Sequence, residues 1–298
     1  MSKNMPYFTV FTPTYNRAHT LSGVYESLCA QTFKDFEWVI VDDGSTDNTD
    51  EVVGRWVDER LIDINYIKQK NQGKHVAHNT AVDNAKGNLF LVFDSDDRCI
   101  PETLETFRKY WEDIPRDVRS KYSTLSVLCM NHFGQIIGPE YPDFIIDSQT
   151  FSEQLELRSG GERWGINTTE SMRANKFPVY CGERFIPEGL VWNRLSKNYR
   201  ARFVNVPLRI YEQQTDSLSK KIVDIRAQSP RGTLQYYSES MTLPLSTKQR
   251  LKNASNLVRF SCHTKDISQI KKVIGKDFIF LPAIPLGLLV FLSDVVRK

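Results

Sequence analysis

The sequence predicts an α/β fold built on a mixed, largely parallel sheet flanked by helices, with a helical, apolar extension at the carboxyl end. Three observations carry that expectation. Short apolar runs alternate with amphipathic stretches through the first hundred residues, the pattern of repeated βα units. Residues 89–97 read Leu-Phe-Leu-Val-Phe-Asp-Ser-Asp-Asp, whose apolar part has the length and composition of a strand buried on both faces, as in parallel sheets. From residue 247 onward, helical and basic sequence gives way to the run 278–292, which holds no charged or strongly polar side chain.

Strands are expected near 7–12, 37–42, 62–68 and 89–93, each followed by a helix, near 18–31, 47–58, 74–86 and 101–113. Pro13 and Asn16 close the first strand, Gly44 closes the second, and Gly73 punctuates the third connection. All these breaks fall where an open α/β sheet binds ligands, outside the carboxyl ends of its strands. After Pro115 the alternation is lost. A strand at 125–130 precedes a turn-rich stretch at 134–150, helices near 151–157 and 166–175, a helix from about Glu188 to Lys197, and a strand at 201–211 that Pro207 marks as an edge or a bend. Residues 212–232 are polar and rich in Ser, Thr and Gln, which predicts a surface loop. The chain then divides into a first domain over 1–232, with halves of about 1–115 and 116–232, and an extension over 233–298.

With 298 residues, 40% of them hydrophobic, the chain can bury a full core. Its five cysteines form no CxxC pair, and their odd number argues against a disulfide framework and for a reducing compartment. The first residues, Met-Ser-Lys-Asn-Met-Pro, lead into a strand without a hydrophobic signal region, so secretion is not expected. The net charge of +3 hides an asymmetry. Residues 248–298 hold ten Lys/Arg against three Asp and no Glu, or +7, which leaves −4 for residues 1–247. A neutral-to-acidic body argues against nucleic-acid binding, which needs basic residues across a face.

Two acid-bearing turns carry the chemistry. Asp94, Ser95, Asp96 and Asp97 bring negative charges together, which mutual repulsion disfavours unless a cation sits between them. Oxygen ligands suit Mg²⁺ or Mn²⁺, and such ions bridge substrate phosphates. The same residues also suit a polar turn before a helix that Pro101 opens, so two readings stand. The second strand ends in Val41-Asp42-Asp43-Gly44-Ser45-Thr46-Asp47, where a carboxylate can accept from a nucleobase N–H or a ribose hydroxyl, or merely stand in a capped turn. There is no GxGxxG and no GxxxxGK[ST], so phosphate neutralisation would fall to a metal.

Together these segments resemble family 2 glycosyltransferases. The likeness spans residues 7–101 and rests on Phe11-Thr12-Pro13-Thr14-Tyr15-Asn16-Arg17, Gln31-Thr32-Phe33, Phe36-Glu37, Val41 to Asp47, Asn71-Gln72-Gly73, Ala85-Lys86-Gly87 and Asp94 to Asp97. It implies a GT-A fold and the transfer of a sugar from a nucleoside-diphosphate donor, UDP-linked, to a saccharide or lipid-linked saccharide. By position in those motifs, Pro13, Tyr15 and Asp43 would line the nucleobase pocket, Asp94 and Ser95 would lie near the ribose, and Asp96 with Asp97 would hold Mn²⁺ or Mg²⁺. The chain departs from the family at Val76-Ala77-His78-Asn79, where many relatives carry Arg before Asn. Imidazole is a weaker phosphate partner than guanidinium, so Lys74 or His75 would supply charge beside His78. A surface-facing His pair on a helix is the alternative.

The resemblance also implies a carboxylate base at the start of a helix in the second half of the domain, to take the acceptor's proton in an inverting transfer. Glu188, between Pro187 and Gly189, is the best match and Glu183 the reserve; helix capping is the alternative for Glu188. Trp192 and Trp164 would offer stacking faces to a sugar ring, and Gly160, Gly161 and Gly165 suggest a flexible acceptor-side loop around Trp164. In the segment Tyr211 to Ser219, where many relatives carry a metal- or phosphate-binding His, this chain has Gln214 or Asp216, and Lys220 and Lys221 would meet the diphosphate when a loop closes. The fifteen-residue run 278–292 is too short for an ordinary span, and Pro282 and Pro285 would break a helix. With Lys271, Lys272, Lys276, Arg297 and Lys298 around it, shallow insertion into the cytoplasmic membrane face is expected, against the alternatives of packing on the protein or self-association. The family and the tail together suggest assembly of a bacterial surface polysaccharide. A nucleotidyltransferase or a non-catalytic sugar-nucleotide-binding protein is the alternative reading.

Overall fold

In the computed structural model, which describes residues 5–211, 222–264, 268 and 278–296, the βα alternation of the first hundred residues forms the parallel half of a mixed sheet. β1 (Phe8–Thr14), β2 (Phe36–Asp42), β3 (Asp63–Lys68) and β4 (Leu89–Val92) lie in the order β3-β2-β1-β4, all parallel. α1 (Ala18–Cys29), α2 (Thr49–Glu59) and α3 (Lys74–Asn84) make the crossovers. Every residue of β2 is buried, because helices cover both faces of the sheet. Successive side chains point to opposite faces. Phe8, Val10, Trp38, Ile40, Leu89 and Leu91 join Leu21, Val24 and Leu28 of α1 and Val53 and Trp56 of α2 in one core. On the other face His78 of α3 meets Phe11 and Phe90 edge-on.

Strand order reverses at β1: β2 and β3 lie to one side and β4 to the other. The carboxyl ends of β1 and β4 therefore flank a topological switch point, the place where an open α/β sheet leaves a crevice for a ligand. Beyond β4 the nine-stranded sheet continues with β8 (Arg163–Thr168), β6 (Tyr122–Met130), β9 (Arg200–Ile210) and β5 (Arg98–Cys99), while β7 (Ile145–Ser148) also pairs with β9. β8 is antiparallel to β4 and β6, whereas β6 and β9 are parallel. α4 (Thr103–Glu112) adds Leu104, Phe107 and Trp111 to the main core; α5 (Arg116–Arg119) and α6 (Phe151–Leu157) are short.

Three expectations fail here. The stretch 166–175 is not one helix but the end of β8 followed by α7 (Thr169–Ala174). At Gly165 a Cβ would stand 2.2 Å from the Leu125 carbonyl oxygen, so the residue is selected for close pairing with β6 and not for a flexible loop. The turn-rich stretch 134–150 contains β7.

Met1–Lys176 with Leu195–Gln214 form this compact unit, and Phe177–Arg194 with Thr215–Lys298 form a second. In the second, the described part of 212–232, expected as a loop, carries α9 (Ile222–Gln228) and the start of α10 (Pro230–Ser240), with Pro230 at a first-turn position that its fixed φ suits. α11 (Thr247–Thr264) and α12 (Phe280–Val296) complete it, and Leu234, Tyr237, Ala254, Leu257, Val258, Phe260 and Ala283 build a core of its own. Pro282 and Pro285 do not break α12. Pro282 falls in the first turn, where no amide hydrogen bond is lost, and packing on α11 offsets the one that Pro285 forfeits. Among the described residues no helix is long and apolar enough to cross a membrane.

Candidate active site

Two turns meet at the carboxyl end of the parallel strands. Pro13 is near the end of β1, and Tyr15, just after it, leaves 48% of its surface exposed. Asn16 adopts a left-handed φ of 54°, which Asn tolerates better than most residues. Its N–H donates to Ser45 Oγ at 2.9 Å, and its Oδ1 accepts from the Thr46 N–H at 2.8 Å. The turn after β1 is thereby tied to the turn after β2. The two acids of that second turn have separate partners. Asp42 accepts from the Ser45 N–H and the Tyr66 hydroxyl, whereas the buried Asp43 accepts from Gln69 Nε2 (2.8 Å), the Gln72 N–H (2.9 Å) and the Gly73 N–H (2.7 Å). Gly73 donates from a φ of 96°, a conformation that favours glycine. The Asp43 and Asn71-Gln72-Gly73 motifs are thus two halves of one contact.

The acid turn follows β4, whose register is continued by the Phe93 N–H donating to the Phe11 carbonyl. Burial alternates along it: Ser95 and Asp97 face inward, and Asp94 and Asp96 stay partly exposed. Each carboxylate faces a cation from a different element. Lys74 Nζ, at the start of α3, is 2.7 Å from Asp94; Arg17 Nη1, after β1, is 3.8 Å from Asp96; Arg209 Nη2, on β9, is 2.6 Å from Asp97 and 3.9 Å from Asp94. Behind the turn, Gln31 donates to the Ser27 and Ile100 carbonyls and accepts from the Leu104 N–H, which fixes the chain as it leaves the acids. The helix-opening reading fails, because α4 begins only at Thr103 and its first-turn acid is Glu105.

Charge in this turn is strongly perturbed. Burial disfavours the Asp94 carboxylate, but Lys74 and Arg209 together hold it below the usual carboxylate range. Burial pushes Asp97 up to about 7, with Asp94 and Asp96 adding to the rise and Arg209 opposing it. Burial also works against the Arg209 charge, yet Asp97 and Asp94 outweigh it and raise its pKa, and the Tyr211 ring lies 5.1 Å from the guanidinium carbon. Hard oxygen donors with partly exposed faces fit a divalent cation such as Mg²⁺ or Mn²⁺. Among the described residues no group of three His, Cys, Asp or Glu side chains is placed to hold a metal ion by itself.

Several expected site residues stand elsewhere. His75 and His78 are buried, not a surface pair. Burial, helped by Lys74, lowers His78 to about 3, so the ring is neutral between Phe11 and Phe90 and offers no charge to phosphate. Trp164 is 6% exposed, its Nε1–H donates to the Val92 carbonyl, and it packs on Phe93 and Phe107; it is core and not a stacking face. Glu183, the reserve base, accepts from the Arg231 and Gly232 N–H groups at 2.8 and 2.9 Å, so its carboxylate caps the first turn of α10. Glu188 is exposed, immediately before α8 (Gly189–Asn198), where its carbonyl accepts the Val191 N–H; Trp192 is partly buried one turn on. Gln214 and Lys220 lie outside the described residues. Arg209 was missed, although an arginine in the otherwise apolar run Val206 to Ile210 is the kind of buried charge that signals a partner.

Comparison with known proteins agrees with this geometry. Residues 9–120 match the family model described as glycosyl transferase family 2. Glycosyltransferase GlyA of Streptococcus pneumoniae serotype 4 is 33% identical over 151 residues, covering 49% of this chain and 21% of that protein, so the chain spans about a fifth of this relative. The crystal structure of S. aureus TarS 1-349 in complex with UDP-GlcNAc superposes with a TM-score of 0.58 at 18% identity, covering 95% of this chain and 80% of that one. The mannosyltransferase PcManGT of Pyrobaculum calidifontis, solved with GDP-Man and Mn²⁺, superposes with a TM-score of 0.56 at 16% identity, covering 99% and 81%. Residues 9–120 thus match glycosyl transferase family 2, and the fold that carries them is the GT-A fold of the solved glycosyltransferases.

Proposed function

We propose that this chain is an inverting glycosyltransferase that moves a sugar from a UDP-linked donor to a saccharide or lipid-linked saccharide in the assembly of a bacterial surface polysaccharide. The observation that carries the reading is the acid turn at the switch point, where three carboxylates are each matched to a cation from a different element. Relatives support the donor class: TarS, solved with UDP-GlcNAc, is a poly(ribitol-phosphate) β-N-acetylglucosaminyltransferase. We assign the donor to about residues 1–115, the acceptor to about 116–232, and a separate role to 233–298.

In this reading Pro13 and the exposed Tyr15 ring flank the base, and Asp43 keeps the pocket's shape through Gln69, Gln72 and Gly73 while offering a lone pair to a ring N–H. Lys74 and Asp94 position ribose and diphosphate. Asp96, with Asp94 in the same turn, would hold Mn²⁺ or Mg²⁺, which when bound supplies positive charge to the departing diphosphate. Asp97 is engaged by Arg209 and braces the turn from within. Glu188 takes the proton of the acceptor hydroxyl as that oxygen attacks the anomeric carbon and the nucleoside diphosphate leaves from the opposite face. Its exposure supports this role, as does the commitment of Glu183 to α10.

The test is a donor screen on the purified chain with and without Mn²⁺ and a chelator, read as nucleoside diphosphate release. Release from a UDP-sugar that the chelator abolishes is the expected result. Tight donor binding without release, with acceptors supplied, would identify a binding protein instead.

A further inference from the structure

α12 carries its polarity inside out. Ala283, Gly287, Phe291 and Asp294 recur at helical spacing on the side turned to α11. At Gly287 a Cβ would stand 2.5 Å from the Ser255 carbonyl oxygen, so only glycine lets the helices approach this closely. Asp294, the one charged side chain described on α12, is turned inward. Arg259 grips its carboxylate through Nε (2.6 Å) and Nη2, and His263 Nε2 lies 3.0 Å away. The apolar side chains face out: Leu289, Leu292 and Val296 are 64%, 57% and 84% exposed, with Leu281 and Leu286 exposed as well. An ordinary surface helix does the reverse, and an exposed apolar patch marks an interaction surface.

We propose that this face docks on an anionic lipid surface, with α12 lying in the plane of the headgroup boundary. At 17 residues the helix is about 25 Å long, short of the roughly 30 Å hydrocarbon layer. Charge selects the occupant. Residues 248–298 carry ten Lys/Arg against three Asp, and cations flank the helix in sequence on both sides, at Lys271, Lys272 and Lys276 and at Arg297 and Lys298. Cations so close in sequence to a helix at the headgroup boundary are attracted to an anionic leaflet. A second copy on the same face would bring two segments of +7 together. The proposal does not depend on the transfer reaction.

The experiment is co-sedimentation of the full chain with phosphatidylcholine vesicles, with and without phosphatidylglycerol, for wild type and for Leu289→Glu/Leu292→Glu. Both positions are exposed, so circular dichroism should be unchanged; Leu289→Gln/Leu292→Gln is the milder replacement if it is not. Wild type should bind the anionic vesicles in a salt-sensitive way, and the double substitution should weaken binding roughly tenfold or more. Absent vesicle binding, binding that the substitutions leave intact, or equal binding to neutral vesicles overturns the proposal. So does a solution dimer that the substitutions dissociate, which would assign the face to a second copy. Failure of the donor screen with vesicle binding retained would count against the transferase reading alone.

Discussion

At the scale of single residues, neighbouring acids with similar sequence context have different physical roles. Asp97 is buried on Arg209, whereas Asp96 is partly exposed and faces Arg17 only at 3.8 Å. Removing one partner of a buried pair strands the other charge, so Arg209→Met should cost about 3–5 kcal/mol of stability. Asp96→Ala should cost at most about 1 kcal/mol, because exposed ion pairs contribute little. Urea titrations of both variants check this, and equal losses would refute the division of roles. Activity should order them differently. Asp96→Ala should lower metal-dependent turnover by roughly a hundredfold or more, as loss of charge stabilisation at a leaving group does. Glu188→Gln should keep donor binding and lose transfer; unchanged turnover would remove Glu188 as the base.

At the scale of elements, α3 is where sequence and structure part most clearly. Histidine is both polar and aromatic, so His75 and His78 are equally readable as a phosphate-facing pair or as packing. The aromatic layer of Phe11 and Phe90 beneath α3 decides for packing at His78. This has a pH consequence with a definite sign. His78 is lowered from 6.5 to about 3 in the folded chain by burial, so below about pH 6.5 the unfolded chain takes up a proton that the folded chain refuses. Stability should therefore fall by about 2 kcal/mol between about pH 7 and about pH 5 from this residue. Denaturant midpoints at the two pH values measure it, and His78→Phe should flatten the slope if the assignment is right. Trp164 follows the same logic: its indole is satisfied by the Val92 carbonyl, a partner supplied by β4 that no local pattern reveals.

At the scale of the whole molecule, two compact units each have a core. Phe260 is 1% exposed in the second of these, so Phe260→Ala should cost about 3–5 kcal/mol, read by guanidinium unfolding of the full chain. The βα alternation, the buried run before Asp94 and the motif order were legible because burial on both faces and tight turns at strand ends leave direct marks in composition. From those marks alone the sequence determined the parallel half-sheet, the position of the two acid turns and the likeness of residues 9–120 to family 2 glycosyltransferases. Tertiary structure decided which acid is buried and which is exposed, that Glu183 caps a helix 48 residues away in sequence, that Trp164 is core, and that α12 turns its leucines outward. The reason is physical: local pattern specifies whether a residue can be buried, but its partner comes from a strand or helix distant in the chain. Only the folded packing settles which charges meet, as Arg209 on β9 meets Asp97 after β4.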